Sequence, residues 1–420
     1  MACYDLIVVG AGAGGIGAAL TAARLGLHTL WLEKEHTLGG TAVHARVCTW
    51  QPAVSEGKLA QELAEALVAR GQAHYIAPDT NTPTGRPLHR RVTGVVYDDS
   101  RHRWADRERR LIGPHVAFAP EGMSALLAEW AADLPTLDVW TDTVCLQAHT
   151  EPAADGLGRL TGLSVERNGT PERVTAGQFI DATADLAVAR SAGCATVWGR
   201  ESQDVYGEPL APAEHKFKLN GWTLCFECHP GPDRVALPTE GWGREGNWAH
   251  ISELPDGGFN VNMVFQLSGE AAWQMGPEQA RELLIANIAR RWRSVQAAYG
   301  LESFGISRLA ARAGVREGPR LVGRYVLTEH DFRAGNWGRH HPDCVAWTDH
   351  ALDRHSPDGG CIEAENGPIG VPFRCLQTCE FDNLLVACRG ASFSSLAASA
   401  VRLQRTIMEL GEAAARSLAQ

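Results

Sequence analysis

Histidine and aspartate side chains are concentrated between residues 330 and 355, where they could move protons. The cluster consists of His330, Asp331, His340, His341, Asp343, Asp349, His350, Asp353 and His355. Because the ordinary pKa of imidazole lies near neutral pH, one of these histidines could take the proton that a reacting hydroxyl or amine releases. We select His350 and His341 as candidate bases, with Arg316 as a contact for an anion. For any single histidine, a surface or structural role is the alternative.

The same cluster also offers ligands for a divalent metal ion, since imidazole and carboxylate groups suit several such ions. Its spacing matches no recognised ligand motif, so we predict no metal site. A second candidate is the segment Cys225-Phe226-Glu227-Cys228-His229, which matches the haem-attachment pattern. It ends a predicted strand, where the two cysteines would point to opposite faces. Haem attachment and a redox or zinc pair are therefore disfavoured, although Cys375 and Cys379 leave a four-cysteine site open.

A glycine-rich turn near the start of the chain has the spacing that binds a dinucleotide. An apolar run at residues 6–9 predicts a buried parallel strand, and residues 16–25 predict the helix that follows. Between them stand the residues of a Gly-x-Gly-x-x-Gly pattern, namely Gly10, Gly12, Ala13, Gly14 and Gly15. The glycines allow a tight turn and a close approach of a diphosphate, which the helix N-terminus then holds.

The residues after this turn complete the dinucleotide pattern. A second apolar run at residues 28–32 predicts the next strand, and it ends at Glu33 beside Lys34. An acid about 20 residues beyond the glycines is placed to accept hydrogen bonds from a ribose. The turn Gly39-Gly40-Thr41 then predicts close backbone approach to the cofactor, with a simple surface turn as the alternative.

Length, composition and charge narrow the class of protein. A chain of 420 residues with 45% apolar and 21% charged residues predicts a globular protein of two or more domains. The formal net charge of -10 argues against nucleic acid or an anionic membrane as the main partner. We expect no signal peptide and no membrane span. The 11 scattered cysteines fit reduced thiols in the cytoplasm.

The rest of the chain predicts elements that complete and interrupt the nucleotide-binding sheet. Strand-like segments at residues 139–146, 160–166 and 178–180 predict an antiparallel meander that returns to the sheet at Asp181. The tryptophan-rich region after residue 200 predicts an antiparallel sheet with a long helix at residues 277–299. Near the end, a strand at residues 384–387 precedes a single long helix, whose N-terminus would point a second dipole at the cofactor.

Several short segments carry a pattern that can be compared with a known family. They are the N-terminal turn, Gly39-Gly40-Thr41, Ile180-Asp181-Ala182-Thr183, Gly314-Val315-Arg316-Glu317 with Arg320, and Asn383-Leu384-Leu385-Val386-Ala387. Together they resemble the FAD-dependent oxidoreductase family of the glutathione-reductase-like FAD-binding superfamily. The chain departs from the family pattern at Ala184, at Cys388 and at Gly318-Pro319, which leaves the active-site details open.

The resemblance implies an α/β fold with bound FAD. It predicts a Rossmann-like FAD-binding domain with a parallel sheet and an antiparallel meander, plus a mixed α+β substrate domain. We place the FAD-binding domain at residues 1–200, with an excursion at 46–110, and at 361–420, and the substrate domain at 201–360. The implied FAD contacts are the glycine turn, Glu33, Lys34, Gly39, Gly40, Thr41, Ala182, Thr183, Arg389, Ser394 and Ser395.

The implied reaction is the transfer of a hydride from a C–H next to a hydroxyl or amine of a small molecule, sugar-like or aromatic, with a histidine as the base. Arg316 could then also contact the flavin, and His44 or Cys48 could attach it covalently. The alternatives are a flavin-dependent monooxygenase and a flavoprotein that carries electrons without catalysing a reaction of its own. The electron acceptor is unknown, and a homodimer is an open expectation.

Overall fold

The computed structural model describes residues 3–54, 57–94, 112–152, 156–355, 360–363 and 365–419. Its helices are α1 (Ala13–Arg24), α2 (Gly40–His44), α3 (Lys58–Ala69), α4 (Pro120–Ala132), α5 (Ala187–Ala192), α6 (Gln203–Tyr206), α7 (Gly269–Met275), α8 (Pro277–Tyr299), α9 (Glu329–Ala334), α10 (Ser395–Val401) and α11 (Gln404–Leu418), with 3-10 turns at Asn336–Gly338 and Phe373–Cys375. Its strands are β1 (Cys3–Val9), β2 (Thr29–Leu32), β3 (Thr49–Trp50), β4 (Ala53–Val54), β5 (Ala73–Asp79), β6 (Leu88–Arg91), β7 (Ile112–Gly113), β8 (Val116–Phe118), β9 (Leu137–Trp140), β10 (Thr143–Pro152), β11 (Gly158–Arg167), β12 (Thr170–Asp181), β13 (Thr196–Val197), β14 (Phe226–Pro230), β15 (Ala249–Glu253), β16 (Phe259–Met263), β17 (Phe304–Leu309), β18 (Arg320–Leu321), β19 (Cys344–Thr348), β20 (Leu352–Asp353), β21 (Cys361–Ile362), β22 (Ile369–Pro372) and β23 (Leu384–Val386).

The first sheet has the α/β architecture that the sequence predicts. Its strands run in the order β10-β11-β12-β1-β2-β9, and β23 pairs with the remaining edge of β12. The pairs among β9, β2, β1, β12 and β23 are parallel, whereas β10, β11 and the first half of β12 form the antiparallel meander. Leu6, Ile7 and Val8 of the central strand are completely buried, as expected of a strand covered on both faces. The predicted strand at residues 139–146 is two strands, because the chain turns at Asp142, which has a φ of 49°.

Helix α11 from the end of the chain packs directly against α1 from its beginning. Glycines in both helices make this approach possible. A Cβ on Gly17 would lie 2.0 Å from the Met408 carbonyl oxygen, and one on Gly411 would lie 2.0 Å from that of Gly14. The N-terminal and C-terminal segments therefore share one hydrophobic core.

The second sheet combines strands from two separated parts of the sequence. Its order is β17-β14-β16-β15-β6-β5-β8-β3, so strands from residues 49–118 join those from residues 226–309. Helix α8, which has the predicted bounds, packs Leu284, Ile288 and Trp292 against this sheet in a second core. The sequence assigned residues 46–110 to an excursion from the FAD-binding domain. Those of them that are described supply β3, β5 and β6 to the second sheet, and residues 95–110 lie outside the described part.

The prediction of a single long C-terminal helix is wrong. The chain forms α10 and α11, separated at Leu403, which has the extended values φ −65° and ψ 141°. Tertiary contacts hold this break in place. Arg402 pairs with Asp353 at 2.9 Å, and the Gln404 side chain donates to the Val47 carbonyl at 2.8 Å. Within the described residues, no helix combines the length and the apolar character needed to cross a membrane.

Candidate active site

The glycine-rich turn forms the N-terminal end of α1, as the sequence predicts. Gly10 has a φ of 100°, and a Cβ there would lie 2.8 Å from the Ala182 carbonyl oxygen. Gly12 is the N-cap residue of the helix, so no side chain accepts hydrogen bonds from the first amides. The amide groups of the first helical turn have no partner within the helix, so they can donate to an anion.

Glu33 braces the glycine turn from the end of β2. Its buried carboxylate accepts a hydrogen bond from the Ala11 amide at 2.5 Å and another from the Glu35 amide at 2.9 Å. The neighbouring Lys34 is exposed. Gly39 donates its amide proton to the Ala11 carbonyl at 3.0 Å, which brings the second glycine turn against the first. Contact of Glu33 with a ribose stays a prediction.

The Asp-Ala-Thr segment ends β12 beside the glycine turn. The buried Asp181 accepts hydrogen bonds from the amide and hydroxyl of Thr183 at 2.9 and 2.6 Å. It also accepts from the amides of Val188 and Ala189, both at 2.9 Å, and so caps α5. This network fixes the position of Ala182 in the wall of a large cleft.

The cleft lies between the glycine turn and the second sheet and encloses about 1650 Å³, including its opening to solvent. One wall carries Gly12, Ala13, Gly14, Thr41, Ala182 and Arg389, and the other carries Thr223, Cys225, Ser252, Asn260 and Asn262. Between them lie Arg316, His350, Asp353, His355, Arg402 and the start of α11. A neighbouring cavity shares Gln51, His89, His115 and His250 with the cleft and adds Ile76, Trp248 and Tyr299.

His350 and His355, among the histidines that line this cleft, each have a ring nitrogen that can accept a proton. His350 Nδ1 lies 2.8 Å from the Ala351 carbonyl, which can only accept, so Nδ1 carries the proton and Nε2 is the acceptor. His355 Nε2 bonds to Asp353 at 2.5 Å, and its buried Nδ1 has no partner among the described residues. Burial and the charge of Arg402 lower the pKa of His350 to about 4. Burial and the charge of Arg316 lower the pKa of His355 to about 3, so both rings are neutral at pH 7.

Arginines line the cleft, and two of them, Arg316 and Arg402, lie near these histidines. Arg316 donates to the Gly221 carbonyl at 2.8 Å and to the Thr223 hydroxyl at 2.7 Å. Burial and the charge of Arg402 lower its pKa to about 10. Arg402 pairs with Asp353, and although burial opposes this, the hydrogen bond from His355 holds the pKa of Asp353 well below its usual value. Arg389 pairs with Asp185 at 3.2 Å, while its buried Nη1 has no partner among the described residues.

His341, the other histidine selected from the sequence, does not line the cleft. Its Nε2 bonds to Asp331 at 2.8 Å, and Arg374 donates to its Nδ1 at 3.3 Å. The potential ligand atoms of Asp331, His340 and His341 all lie within 4.8 Å of one another. Asp331 also accepts from the Tyr325 hydroxyl at 2.8 Å, so its hydrogen-bonding capacity is filled by protein groups.

Ser394 and Ser395 begin α10 but do not line the cleft either. The Ser394 hydroxyl donates to Glu208 at 2.5 Å, while the amide of Ser395 donates to Glu201 at 3.0 Å and its hydroxyl to Glu317 at 2.8 Å. This helix start is therefore occupied by buried carboxylates. Besides the start of α1, the start of α11 at Leu403 and Gln404 lines the cleft. The sequence does not predict it, because neither residue is a recognised helix-terminating signal.

The structure places the residues of the Cys225–His229 motif, and the two residues considered for covalent flavin attachment, in different surroundings. Cys225 lines the cleft, while Cys228 lies in the second core, and His229 bonds to Ser307 and Asp256 at 2.8 and 3.0 Å. Cys48 lines the cleft and is fully buried, whereas His44 bonds to the Thr37 carbonyl at 3.0 Å outside it. Covalent flavin attachment through Cys48 stays a prediction.

The residues of the cleft fit an FAD molecule. A Cβ on Gly12 would meet nothing within 4 Å, so the turn leaves open space in front of the free amides of α1. The sequence model of the family described as FAD dependent oxidoreductase matches residues 5–420. The chain belongs to this family. The protein is thus an FAD-dependent oxidoreductase, an enzyme whose cofactor is FAD.

Comparisons with individual proteins add local and fold-level similarity. The chain is 37% identical over 92 residues to 4-oxocyclohexanecarboxylate 2-dehydrogenase of Sinomonas cyclohexanicum, covering 17% of this chain and 16% of that protein. It is 38% identical over 85 residues to 4-oxocyclohex-2-ene-1-carboxylate 5-dehydrogenase of the same organism, covering 20% of this chain and 14% of that protein. The alignments thus span less than a fifth of these relatives. A solved structure of a geranylgeranyl bacteriochlorophyll reductase-like protein from Thermoplasma acidophilum aligns with a TM-score of 0.50 at 15% identity, covering 99% of this chain and 78% of the other. This similarity shows the shared fold.

Proposed function

We propose that this oxidoreductase takes a hydride from a C–H next to a hydroxyl or amine of a small molecule. The observation that carries the proposal is the His355–Asp353 pair, which lines the same cleft as the glycine turn and in which Nδ1 of His355 has no hydrogen-bond partner among the described residues. When bound, FAD would supply the redox chemistry by accepting the hydride from the substrate carbon.

The proton of the reacting group goes to a histidine in this proposal. As the C–O or C–N bond becomes a double bond, the hydroxyl or amine proton passes to Nδ1 of His355. Asp353, already bonded to Nε2, then stabilises the positive charge of the imidazolium. His350, the first choice from the sequence, is the second acceptor, through Nε2.

The size and lining of the cleft support a small substrate that contains a ring. The neighbouring cavity adds Trp248, Tyr299 and Ile76 to a region that already contains polar groups. Aromatic side chains pack well against sugar or aromatic rings. The two local relatives are by name dehydrogenases of oxo-substituted cyclohexane and cyclohexene carboxylates, which favours oxidation of a ring carbon over oxygen insertion.

The test uses the purified holoenzyme under anaerobic conditions, with alcohols, sugars and amines screened for bleaching of the flavin absorbance. In His355→Gln we expect retained flavin and a bleaching rate lower by roughly 100- to 10,000-fold, the usual contribution of a general base. His350→Gln is assayed beside it, and His36→Gln is the control because the His36 side chain is 87% exposed. Wild-type bleaching rates in both cleft variants would refute His350 and His355 as the base. Bleaching by NADPH alone would favour a monooxygenase.

A further inference from the structure

Arg316 carries a charge that forms no ion pair among the described residues. Its two recorded hydrogen-bond acceptors, the Gly221 carbonyl and the Thr223 hydroxyl, are both neutral. Among the described residues, no carboxylate lies within ion-pair distance of it. The nearby Asp353 is already bonded to Arg402 and His355. A guanidinium held in a largely enclosed site without a counter-charge is costly, so the site favours an anion.

A second arginine four positions along the chain shows how this protein balances a structural guanidinium. Arg320 is 1% exposed and bonds to Glu201 at 2.8 Å and to Glu317 at 2.7 Å. Two carboxylates surround one guanidinium there, whereas in the cleft Asp353 pairs with Arg402 and leaves Arg316 without a carboxylate partner among the described residues. Because Arg316 also lines the cleft, a bound ligand could supply the missing negative charge.

We propose that Arg316, with Arg402 beside it, binds a carboxylate group of the substrate. This inference rests on the proposed function, since it names the class of molecule that the enzyme oxidises. A planar guanidinium can form two parallel hydrogen bonds to a carboxylate, which fixes orientation as well as charge. With the carboxylate held there, the reacting carbon of a ring substrate is positioned in the same cleft as His350 and His355.

The anion bound by Arg316 could also be the FAD diphosphate, but the structure favours a carboxylate of the substrate. The free amides that suit a diphosphate belong to the start of α1 on the wall formed by the first sheet. Arg316 is held by the Gly221 carbonyl and by the hydroxyl of Thr223, and Thr223 lines the opposite wall together with Cys225. The free amides and the guanidinium are therefore held by different sides of the cleft.

The experiment measures the binding of cyclohexanecarboxylate to the holoenzyme through the change that it causes in the flavin absorbance. Cyclohexanecarboxamide and inorganic phosphate are the comparison ligands. We expect the wild type to bind the carboxylate at least about tenfold more tightly than the neutral amide. Arg316→Gln should weaken carboxylate binding by roughly 10- to 100-fold, the range of a charged hydrogen bond, and leave amide binding unchanged. Arg316→Lys should restore part of the affinity.

The matched control is Arg281→Gln, because Arg281 is also partly buried and donates to two backbone carbonyls, of Ala310 and Ala311, but lies outside the cleft. Its carboxylate affinity should equal that of the wild type. The FAD dissociation constant is measured for every variant. A tenfold rise in that constant for Arg316→Gln, with unchanged carboxylate binding, would overturn the proposal and assign the arginine to the cofactor diphosphate. Tighter binding of phosphate than of the carboxylate would overturn it as well.

These outcomes are distinct from those of the oxidation screen. Carboxylate binding that depends on Arg316, with no alcohol or amine oxidised, would support this inference and refute only the hydride-transfer proposal. Oxidation of neutral alcohols with no preference for carboxylates, in the wild type and in Arg316→Gln alike, would refute only this inference.

Discussion

Replacing Gly12 with alanine should weaken FAD binding without destabilising the fold. Gly12 has φ −76° and ψ −172°, a conformation that any L-residue adopts. A Cβ at this position would meet nothing within 4 Å, so the protein itself accommodates the methyl group. The methyl would instead occupy the space in front of the free amides of α1, where the diphosphate is expected to lie.

The magnitude follows from the hydrogen bonds that the methyl group obstructs. A hydrogen bond from an amide to a charged group contributes about 1.5–3 kcal/mol. Losing one of them should raise the FAD dissociation constant by roughly 10- to 150-fold. The free energy of unfolding of the apoprotein should stay within about 0.5 kcal/mol of the wild type or increase slightly, since alanine reduces the entropy of the unfolded chain.

Two further glycine variants serve as controls, with FAD affinity measured by flavin fluorescence and unfolding by urea titration of the apoprotein. A Cβ on Gly14 would lie 1.7 Å from the Ala387 carbonyl oxygen, so Gly14→Ala should lower the free energy of unfolding by about 1–3 kcal/mol or more. Gly177 is exposed, and its Cβ would lie 3.5 Å from the Asp5 carbonyl oxygen, so Gly177→Ala should leave FAD affinity unchanged. Wild-type FAD affinity in Gly12→Ala would refute the placement of the diphosphate.

Three other predictions concern buried charges and the response to pH. Arg320→Met should lower the free energy of unfolding by about 3–5 kcal/mol at pH 8, because it leaves buried carboxylates unpaired. Burial raises the pKa of Glu317, and the charge of Arg320 opposes that rise. In the variant Glu317 therefore protonates more readily, and the loss of unfolding free energy should be smaller at pH 5.5. Urea titrations that give equal losses at both pH values would contradict this. Asp181→Asn should lower the free energy of unfolding by roughly 3 kcal/mol in the same titration, because the NH₂ group of the new asparagine would face backbone amides that also donate. A loss of less than about 1 kcal/mol would count against the capping role of Asp181. Finally, kcat/KM should be constant from pH 6 to 8, because the lowered pKa values of His350 and His355 keep both bases unprotonated; a tenfold fall per pH unit below 6.5 would contradict this.

The cofactor-binding half could be predicted from sequence because its signals are local. The strand before Gly10, the glycine spacing and the acid at Glu33 each have a fixed geometric meaning, and the structure has the predicted strand, turn and helix there. The meander was also recognisable, since its segments are adjacent in the sequence.

The arrangement of the second sheet and of the catalytic cleft could not be predicted in the same way. Strands β5 and β6 join β15 across more than 150 residues, and no local pattern encodes that pairing. The helix break at Leu403 depends on the Arg402–Asp353 pair and on Gln404, and neither a glycine nor a proline stands at the break to mark it. The histidine cluster was identified, but only the fold separates His350 and His355, in the cleft, from His341 beside Asp331 and Arg374.

The position of β23 and α11 has a consequence for the synthesis of the chain on the ribosome. These elements follow the other described strands and helices in the sequence, yet β23 pairs with β12 beside the central strands and α11 covers α1. A nascent polypeptide that ends before residue 380 therefore exposes an open edge and an uncovered apolar helix, both of which favour aggregation or capture by chaperones. Flavin uptake should consequently follow the synthesis of β23 and α11, and a product that stalls before them should accumulate without colour.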